Sequence, residues 1–211
     1  MLDSKYQRFY DEIVKKIKKE KIFTDKLHTL AYGTDASFYR LIPKIVIKTD
    51  NAKEVQDIIE LSNSLNLSIT FRAGGTSLSG QAISDSILVI TSRNFSNFKI
   101  APDASYISLQ PALTGAQVNG LLARYSKKIG PDPASINAAM IGGIAANNAS
   151  GMCCGISQNS YKTLKSMKLI FADGAKLDTG CSESKDAFRK SHGDFLNDLK
   201  SFSQDTKNNE P

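Results

Sequence analysis

The 211-residue chain contains no tryptophan and only two histidines, His28 and His192. This scarcity narrows the chemistry, because imidazole is the usual general base near neutral pH. His28 stands in a basic, polar connection and His192 in a C-terminal helical stretch. Neither has catalytic neighbours in sequence, so both read as structural or solvent-exposed. No Ser/His/Asp arrangement and no metal-ligand spacing appears, and no metal is expected. Cysteine is also sparse. Three residues agree with a reducing compartment. Cys153 and Cys154 are adjacent, which strains a disulfide between them and disfavours a shared zinc site. They read as two small buried thiols in a tight loop, and Cys181 as an incidental residue of a polar tail. No apolar run approaches the roughly 20 residues of a membrane span. The first residues, with Asp3, Lys5, Asp11 and Glu12, lack a signal-peptide core. A cytoplasmic location is expected. There are no internal repeats.

Charge of one sign dominates only mildly: 27 basic against 21 acidic residues give +6. Such a balance suits a nucleic acid or an anionic membrane face. The lysines are scattered, however, and no aromatics interleave with them, which argues against nucleic acid as a partner. The densest cluster, Lys15, Lys16, Lys18, Lys19 and Lys21, falls in an amphipathic N-terminal helix and reads best as its solvated face. With 41% hydrophobic residues, the chain can build one substantial domain, or one domain of two lobes.

What the sequence does have is glycine in two concentrated stretches. The first runs Arg72, Ala73, Gly74, Gly75, Thr76, Ser77, Leu78, Ser79, Gly80, Gln81 and follows the alternating Leu67, Ile69 and Phe71 of a β-strand. A strand that empties into glycines and small hydroxyls exposes a row of main-chain N–H groups. That concavity suits an anion, above all a phosphate. The second stretch runs from Ile141, Gly142 and Gly143 through Asn147, Asn148 and Ser150 to Gly151. Two such stretches point to a long, phosphate-bearing ligand. The first can also be read as a plain surface turn, and residues 138–146 as a closely packed small-residue helix. There is no G-x-x-x-x-G-K-[ST] and no G-x-G-x-x-G opening a helix, which disfavours P-loop and Rossmann sites.

The coarse organisation is legible. Tyr6, Phe9, Tyr10, Ile13, Val14 and Ile17 fall at helical spacing. Ile45–Ile47 reads as a short strand, Asn51 with Glu54 as a capping box opening a helix to about Leu65, and Ile87–Ile90 as a further strand. A second lobe starts near Arg93, with a strand over Tyr106, Ile107 and Leu109 and a helix over Thr114–Lys128. Met167, Leu169 and Phe171 alternate as a strand, and Asp173-Gly174 signals a hairpin. Residues 203–211 are polar and expected to fray. The expected domains are a first lobe over 1–93, a second over 94–180, and a helix or tail over 181–211.

Four blocks, in order, resemble a known family: Thr34–Pro43, Arg72–Ala82, Gly130–Ser135 continuing into Ile141–Gly151, and Ser150–Gly155 followed by Gln158–Leu164 and Asp173-Gly174. The chain resembles, from about Tyr32 to about Asp178, the FAD-binding domain of the vanillyl-alcohol oxidase (PCMH) type found in flavin-dependent 2-hydroxyacid dehydrogenases. The last block looks most like bacterial D-lactate dehydrogenase relatives that carry a C-terminal iron–sulfur region. The resemblance implies an α+β, two-lobed domain, with a small parallel or mixed sheet against helices and a second, mostly antiparallel sheet. FAD would lie between the lobes. Arg72 to Leu78, with Gly80 and Gln81, would wrap its pyrophosphate. Ile141, Gly142, Gly143, Asn147, Asn148, Ala149, Ser150 and Gly151 would lie along the ribityl chain and flavin, and Gly155 would also bind the cofactor. Pro131, Asp132 and Ser135 would shape the approach. Thr76 stands where relatives with covalent flavin carry His, which implies non-covalent FAD.

The resemblance further implies oxidation of a small 2-hydroxy acid such as D-lactate, with the electron acceptor unassigned and peripheral membrane contact left open. In relatives the substrate cap, its catalytic His and an E-G-T-L-G-like turn follow the region present here. The chain is therefore expected to be an N-terminal part, with any iron–sulfur clusters confined to a missing C-terminal region. A non-catalytic nucleotide-binding module, or an inactive fragment, is the other reading. Asp35 and Arg40 could approach the flavin, but read better as a local ion pair or cap.

Overall fold

The computed structural model describes residues 2–208 and divides into two compact units, Met1–Leu164 and Lys165–Pro211. Residues 1–93 and 94–164 thus fall together in the first. It opens with α1 (Ser4–Ile13), capped by the Asp3 carboxylate, which accepts from Lys5 N–H. Phe9 and Ile13 are fully buried. The helix ends at Ile13, short of the expected Ile17. Its last bonds tighten into turns, Lys15 N–H to Glu12 O and Lys16 N–H to Ile13 O, which still leave Ile17 buried. The lysine cluster consequently lies on turns past the helix. Lys15 pairs with Glu12, Lys16 with Asp57, and Lys21 with Asp50 and Glu54.

Two short elements follow that local sequence does not announce: β1 (Ile22–Phe23) and α2 (Lys26–Ala31). α2 carries His28, expected in a connection. Its N-cap, Asp25, accepts from His28 N–H and pairs with the imidazole at 2.8 Å. Next come β2 (Ile45–Thr49), α3 (Ala52–Leu65), β3 (Ile69–Arg72) and β4 (Ile87–Thr91). They form one mixed sheet in the order β1-β2-β4-β3. β2 and β3 both run parallel to β4, while β1 is antiparallel to β2. The strands β2 and β4 are near-continuous apolar runs because both of their faces are covered. Ile45, Ile47, Ile87 and Val89 pack with Phe9, Ile13 and Ile58 on one side. Val46, Leu88 and Ile90 pack against Phe23 and Tyr32 on the other. Asn51 caps α3 by accepting from Glu54 N–H. The return bond of a strict capping box shifts by one residue, since Glu54 accepts from Asp50 N–H.

β5 (Phe98–Ile100) and β6 (Ile107–Leu109) form an antiparallel ribbon. α4 (Gly115–Leu122) is held by a complete Thr114/Gln117 capping box. It stops well short of the expected Lys128, because a 3-10 turn over Ala123–Tyr125 leads into Ser126 at φ 54°. α5 (Ile141–Ala146) shows that the second glycine-rich stretch does begin as a small-residue helix, and α6 (Ser160–Thr163) closes the unit. Cys154 is buried as expected, but Cys153 is exposed. Cys154 N–H donates to Asp132 and its sulfur accepts from Gly151 N–H, so only one of two neighbours can turn inward.

In the second unit, β7 (Lys168–Ile170) and β8 (Lys176–Asp178) form the expected hairpin around Asp173-Gly174. The antiparallel part of the fold is therefore two separate two-stranded ribbons. α7 (Ser182–Ser191) and α8 (Gly193–Asn208) follow. His192 caps α7, stacks on Phe188 with ring centroids 4.1 Å apart, and lies 2.8 Å from the Asp173 carboxylate. Fraying expected over 203–208 is not seen, since α8 continues to Asn208; residues 209–211 lie outside the described residues. Among the described residues no helix is long and apolar enough to cross a membrane.

The buried Asp57 on α3 shows how charge is accommodated. Burial alone would raise its pKa, but hydrogen bonds from Lys53 and Lys16, and their charges, outweigh burial and hold it below the usual carboxylate range. A folded pKa below the unfolded one stabilises above about pH 4 and is lost as pH falls through the folded value. The unfolding free energy of Asp57→Asn should therefore lie below wild type near neutrality, and the gap should close in acid, as read by urea titrations at pH 7 and pH 3.

Candidate functional site

At the end of β3 the chain leaves the sheet and turns through residues 73–82. Arg72 does not follow its neighbours. Its guanidinium folds back, donates to Thr34 O at 2.6 Å and lies over the Tyr32 ring. Gly75 has φ +67°, and a Cβ there would sit 2.5 Å from the guanidinium, so glycine is required both for conformation and for space. Gly74 approaches the opposite wall closely. A Cβ on it would come within 2.3 Å of the Ala138 carbonyl oxygen. Ser77 ties off the far end of the loop. Its hydroxyl accepts from Ser79 and Gln81 N–H and donates to Gln81 Oε1.

Asp35 reaches across to the same loop. One carboxylate oxygen accepts from Ser37 N–H at 2.8 Å and the other from Ala82 N–H at 3.3 Å. Burial opposes its ionisation, but these hydrogen bonds and the nearby Arg72 charge prevail and lower its pKa. The Gly75 carbonyl accepts from Ala36 N–H at 3.1 Å. With loop residues so anchored, the main-chain N–H groups of Gly74, Gly75, Thr76 and Ser77 find no protein acceptor among the described residues.

These groups border a cleft of about 310 Å³. Of the residues expected from sequence, Ala73, Gly74, Gly75, Thr76, Ser77 and Gln81 line one side, and Ser135, Gly143 and Asn147 the other. The others stand behind or beside the walls. Leu78 projects to solvent. Gly80, at φ +72°, packs under the Tyr39 ring, and Gly142 packs against Pro111. Pro131 is buried and Ser150 exposed. Asp132 accepts from Cys154 N–H and crowds Gly151, and hydrogen bonds from Cys154 and Cys153 lower its pKa. Ile141 N–H donates to Leu113 O. Asn148 accepts from Tyr161 N–H, and Gly155 faces open space. Arg40 bridges Thr34 through the main chain.

Sequence reasoning missed most of the apolar share of the lining, namely Phe71, Ala82, Pro133, Ala139, Met140, Ile144 and Ala146, whereas Ala149 falls in the expected stretch from Asn147 to Gly151. Phe71 carries no signal of this in the sequence, where it alternates with Ile69 as an ordinary strand residue; in the structure it is half exposed. The cleft has the two textures that a flavin dinucleotide needs. Unpartnered donors suit the charged diphosphate, and apolar side chains beside them suit an aromatic ring system. Those donors and the crowding at Gly74 fit FAD.

Comparison with known proteins agrees. Residues 43–180 match the family model described as the FAD binding domain. The chain is 26% identical over 172 residues to D-2-hydroxyglutarate dehydrogenase of Haemophilus influenzae, covering 78% of this chain and 16% of that protein. It is 26% identical over 141 residues to D-lactate dehydrogenase of Archaeoglobus fulgidus, covering 64% of this chain and 31% of that one. The chain thus spans about a sixth to a third of these relatives. In fold it superposes on p-cresol methylhydroxylase with a TM-score of 0.72 and 14% identity, over 87% of this chain and 38% of the other. A glycine-rich loop with free amides, a mixed sheet that presents it, and a family match over most of the first unit lead to one assignment: the chain belongs to the FAD-binding domain family.

Proposed function

We propose that this chain is the FAD-holding part of an oxidoreductase that converts a D-2-hydroxy acid, with D-lactate as the leading candidate, to the 2-oxo acid. The observation that carries the proposal is the row of unpartnered amides at Gly74–Ser77 on the rim of the cleft. Each amide donating to a charged phosphate oxygen is worth about 1.5–3 kcal/mol. The hydroxyls of Thr76 and Ser77 lie beside them. Gly143 and Asn147 on the far wall, with Phe71 and Met140, flank the ribityl and ring portion. Gly142, Asn148, Ser150 and Gly151 belong to the stretch assigned to the ribityl chain, and Pro131, Asp132 and Ser135 to the approach to it. Thr76, in place of His, leaves the flavin without a covalent link through this loop. Bound FAD supplies a two-electron acceptor.

The walls themselves bind and orient. No residue lining the cleft carries a titratable side chain, so the proton of the substrate hydroxyl is not taken by any of them. Relatives of about two to five times this length have ample chain for that task. The same observation favours a second reading, in which the chain alone is a nucleotide-binding module without turnover. The electron acceptor lies outside both readings, and peripheral membrane contact would have to use lysines other than those already paired with carboxylates.

Equilibrium titration of the 211-residue chain by flavin fluorescence tests the site. FAD should bind at least ten-fold more tightly than riboflavin, which lacks the diphosphate, since several charge-assisted hydrogen bonds separate them. Equal affinities would refute the assignment of the loop. Adding D-lactate or D-2-hydroxyglutarate to the complex then separates the readings. Bleaching of the flavin band supports an enzyme complete in this chain, and binding without bleaching supports the cofactor-holding part alone.

The two glycines that face each other's walls should respond differently to alanine. Gly74→Ala drives a methyl into a carbonyl oxygen and should cost about 1–3 kcal/mol of stability along with FAD affinity. At Gly143 a Cβ would meet only the Ala73 Cβ at 3.4 Å, and the residue is helical. Gly143→Ala should therefore stay within about 1 kcal/mol of wild type. Thermal and urea unfolding measure both.

A further inference from the structure

We propose that Asp35 is a positioning residue for the diphosphate loop, holding Gly74–Ser77 in the conformation that presents their amides to the cleft. The inference rests on the reading of that loop as the diphosphate site. Four successive N–H groups without acceptors in the described protein do not stabilise one another, so the restraint has to come from contacts the loop makes elsewhere. The segment 34–37 supplies it. The Gly75 carbonyl accepts from Ala36 N–H at 3.1 Å, which ties this peptide to a segment outside the cleft lining. The Asp35 carboxylate spans the segment and the far end of the loop, accepting from Ser37 N–H at 2.8 Å and Ala82 N–H at 3.3 Å. Arg72, at the near end of the loop, donates to Thr34 O at 2.6 Å and fills the space under Gly75. Both ends of residues 73–82 are thereby fastened to one short strap, and Tyr39, just beyond it, covers Gly80.

The charge of Asp35 makes the inference sharp. A carboxylate near a diphosphate repels it. An Asp35 that merely sat nearby would weaken FAD binding, and replacing it with neutral Asn would tighten binding or leave it unchanged. An Asp35 that positions the loop predicts the opposite sign. Asparagine has one acceptor oxygen and one NH2 donor. It can receive Ser37 N–H or Ala82 N–H but not both, because its NH2 would face the second donor.

The experiment measures dissociation constants of FAD and riboflavin for wild type and Asp35→Asn, with circular dichroism as the folding control. The wild-type preference for FAD tests the loop assignment itself. Given that preference, Asp35→Asn should raise the FAD dissociation constant about ten-fold and leave riboflavin within about two-fold. Unchanged or tighter FAD binding by the variant overturns the inference. So does an equal loss for both flavins, which would mark general structural damage. If Asp35→Asn fails to fold, Asp35→Glu keeps the charge and displaces the carboxylate by one methylene. The same FAD-selective loss is then expected, and wild-type FAD affinity in that variant would overturn the proposal.

Discussion

A main-chain N–H kept for a ligand must forgo a partner in its own protein, and among the described residues four in sequence, Gly74–Ser77, have none while lining the cleft. Most of the first unit can be understood as what makes this arrangement affordable. Buried or half-buried amides without partners favour any rearrangement that satisfies them. The loop is kept from such collapse by a rigid platform beneath it and by fastenings at its sides. The platform is the parallel trio β2, β4 and β3, whose central strands are covered on both faces. The fastenings are Arg72 and Asp35, each committed to the segment 34–37 or to the loop's far end.

This division of labour explains why the basic residues of the chain are absent from the cleft. The net charge of +6 invites the idea of a cationic phosphate site. The lining contains no lysine or arginine, and the nearest guanidinium is turned away to Thr34. Several of the lysines are spent on structural pairs, as Lys21 is on Asp50 and Glu54. An anion in this cleft is met by backbone dipoles. They are fixed by the fold and lose little side-chain entropy on binding, unlike the flexible stem of a lysine.

How much of this was legible depends on the range of the interaction. The runs Ile45–Ile47 and Ile87–Ile90 are apolar at every position, which only a strand covered on both faces requires, so the central strands could be read directly. The Asn51 cap is encoded within four residues and was equally plain, and the Thr114/Gln117 box has the same local encoding although only a helix start is expected there from the sequence. The glycine loop announced its chemistry through residue types alone. By contrast, β1 has two residues and exists only by pairing with β2, and α2 has six residues. No periodicity can emerge from stretches that short. The apolar lining at Ala139 and Met140, and the strap at 34–37, are brought to the loop by tertiary contacts across about forty to seventy residues of sequence. Helix ends were misjudged for a related reason. α1 and α4 stop in turns whose i to i+3 bonds leave the spacing of apolar residues almost unaltered.

The absence of titratable side chains from the lining bears on how the flavin domain and the reaction are related. A wall built from glycine, alanine, small hydroxyls and a few larger apolar groups fixes a dinucleotide by shape and by donors of constant charge. Its hold on the ligand is then largely indifferent to pH near neutrality. A general base, by contrast, has to change protonation state during turnover, and its pKa is sensitive to every neighbouring charge. Placing both tasks on one surface would couple cofactor affinity to the protonation cycle. With the base supplied elsewhere, as in the proposed function, the glycine loop would be free to be optimised for packing, and Gly74 does approach Ala138 closely. It also leaves substrate choice to residues that need not preserve the amide row. Such a separation is one physical way in which a single fold can occur in proteins with names as different as D-lactate dehydrogenase and p-cresol methylhydroxylase.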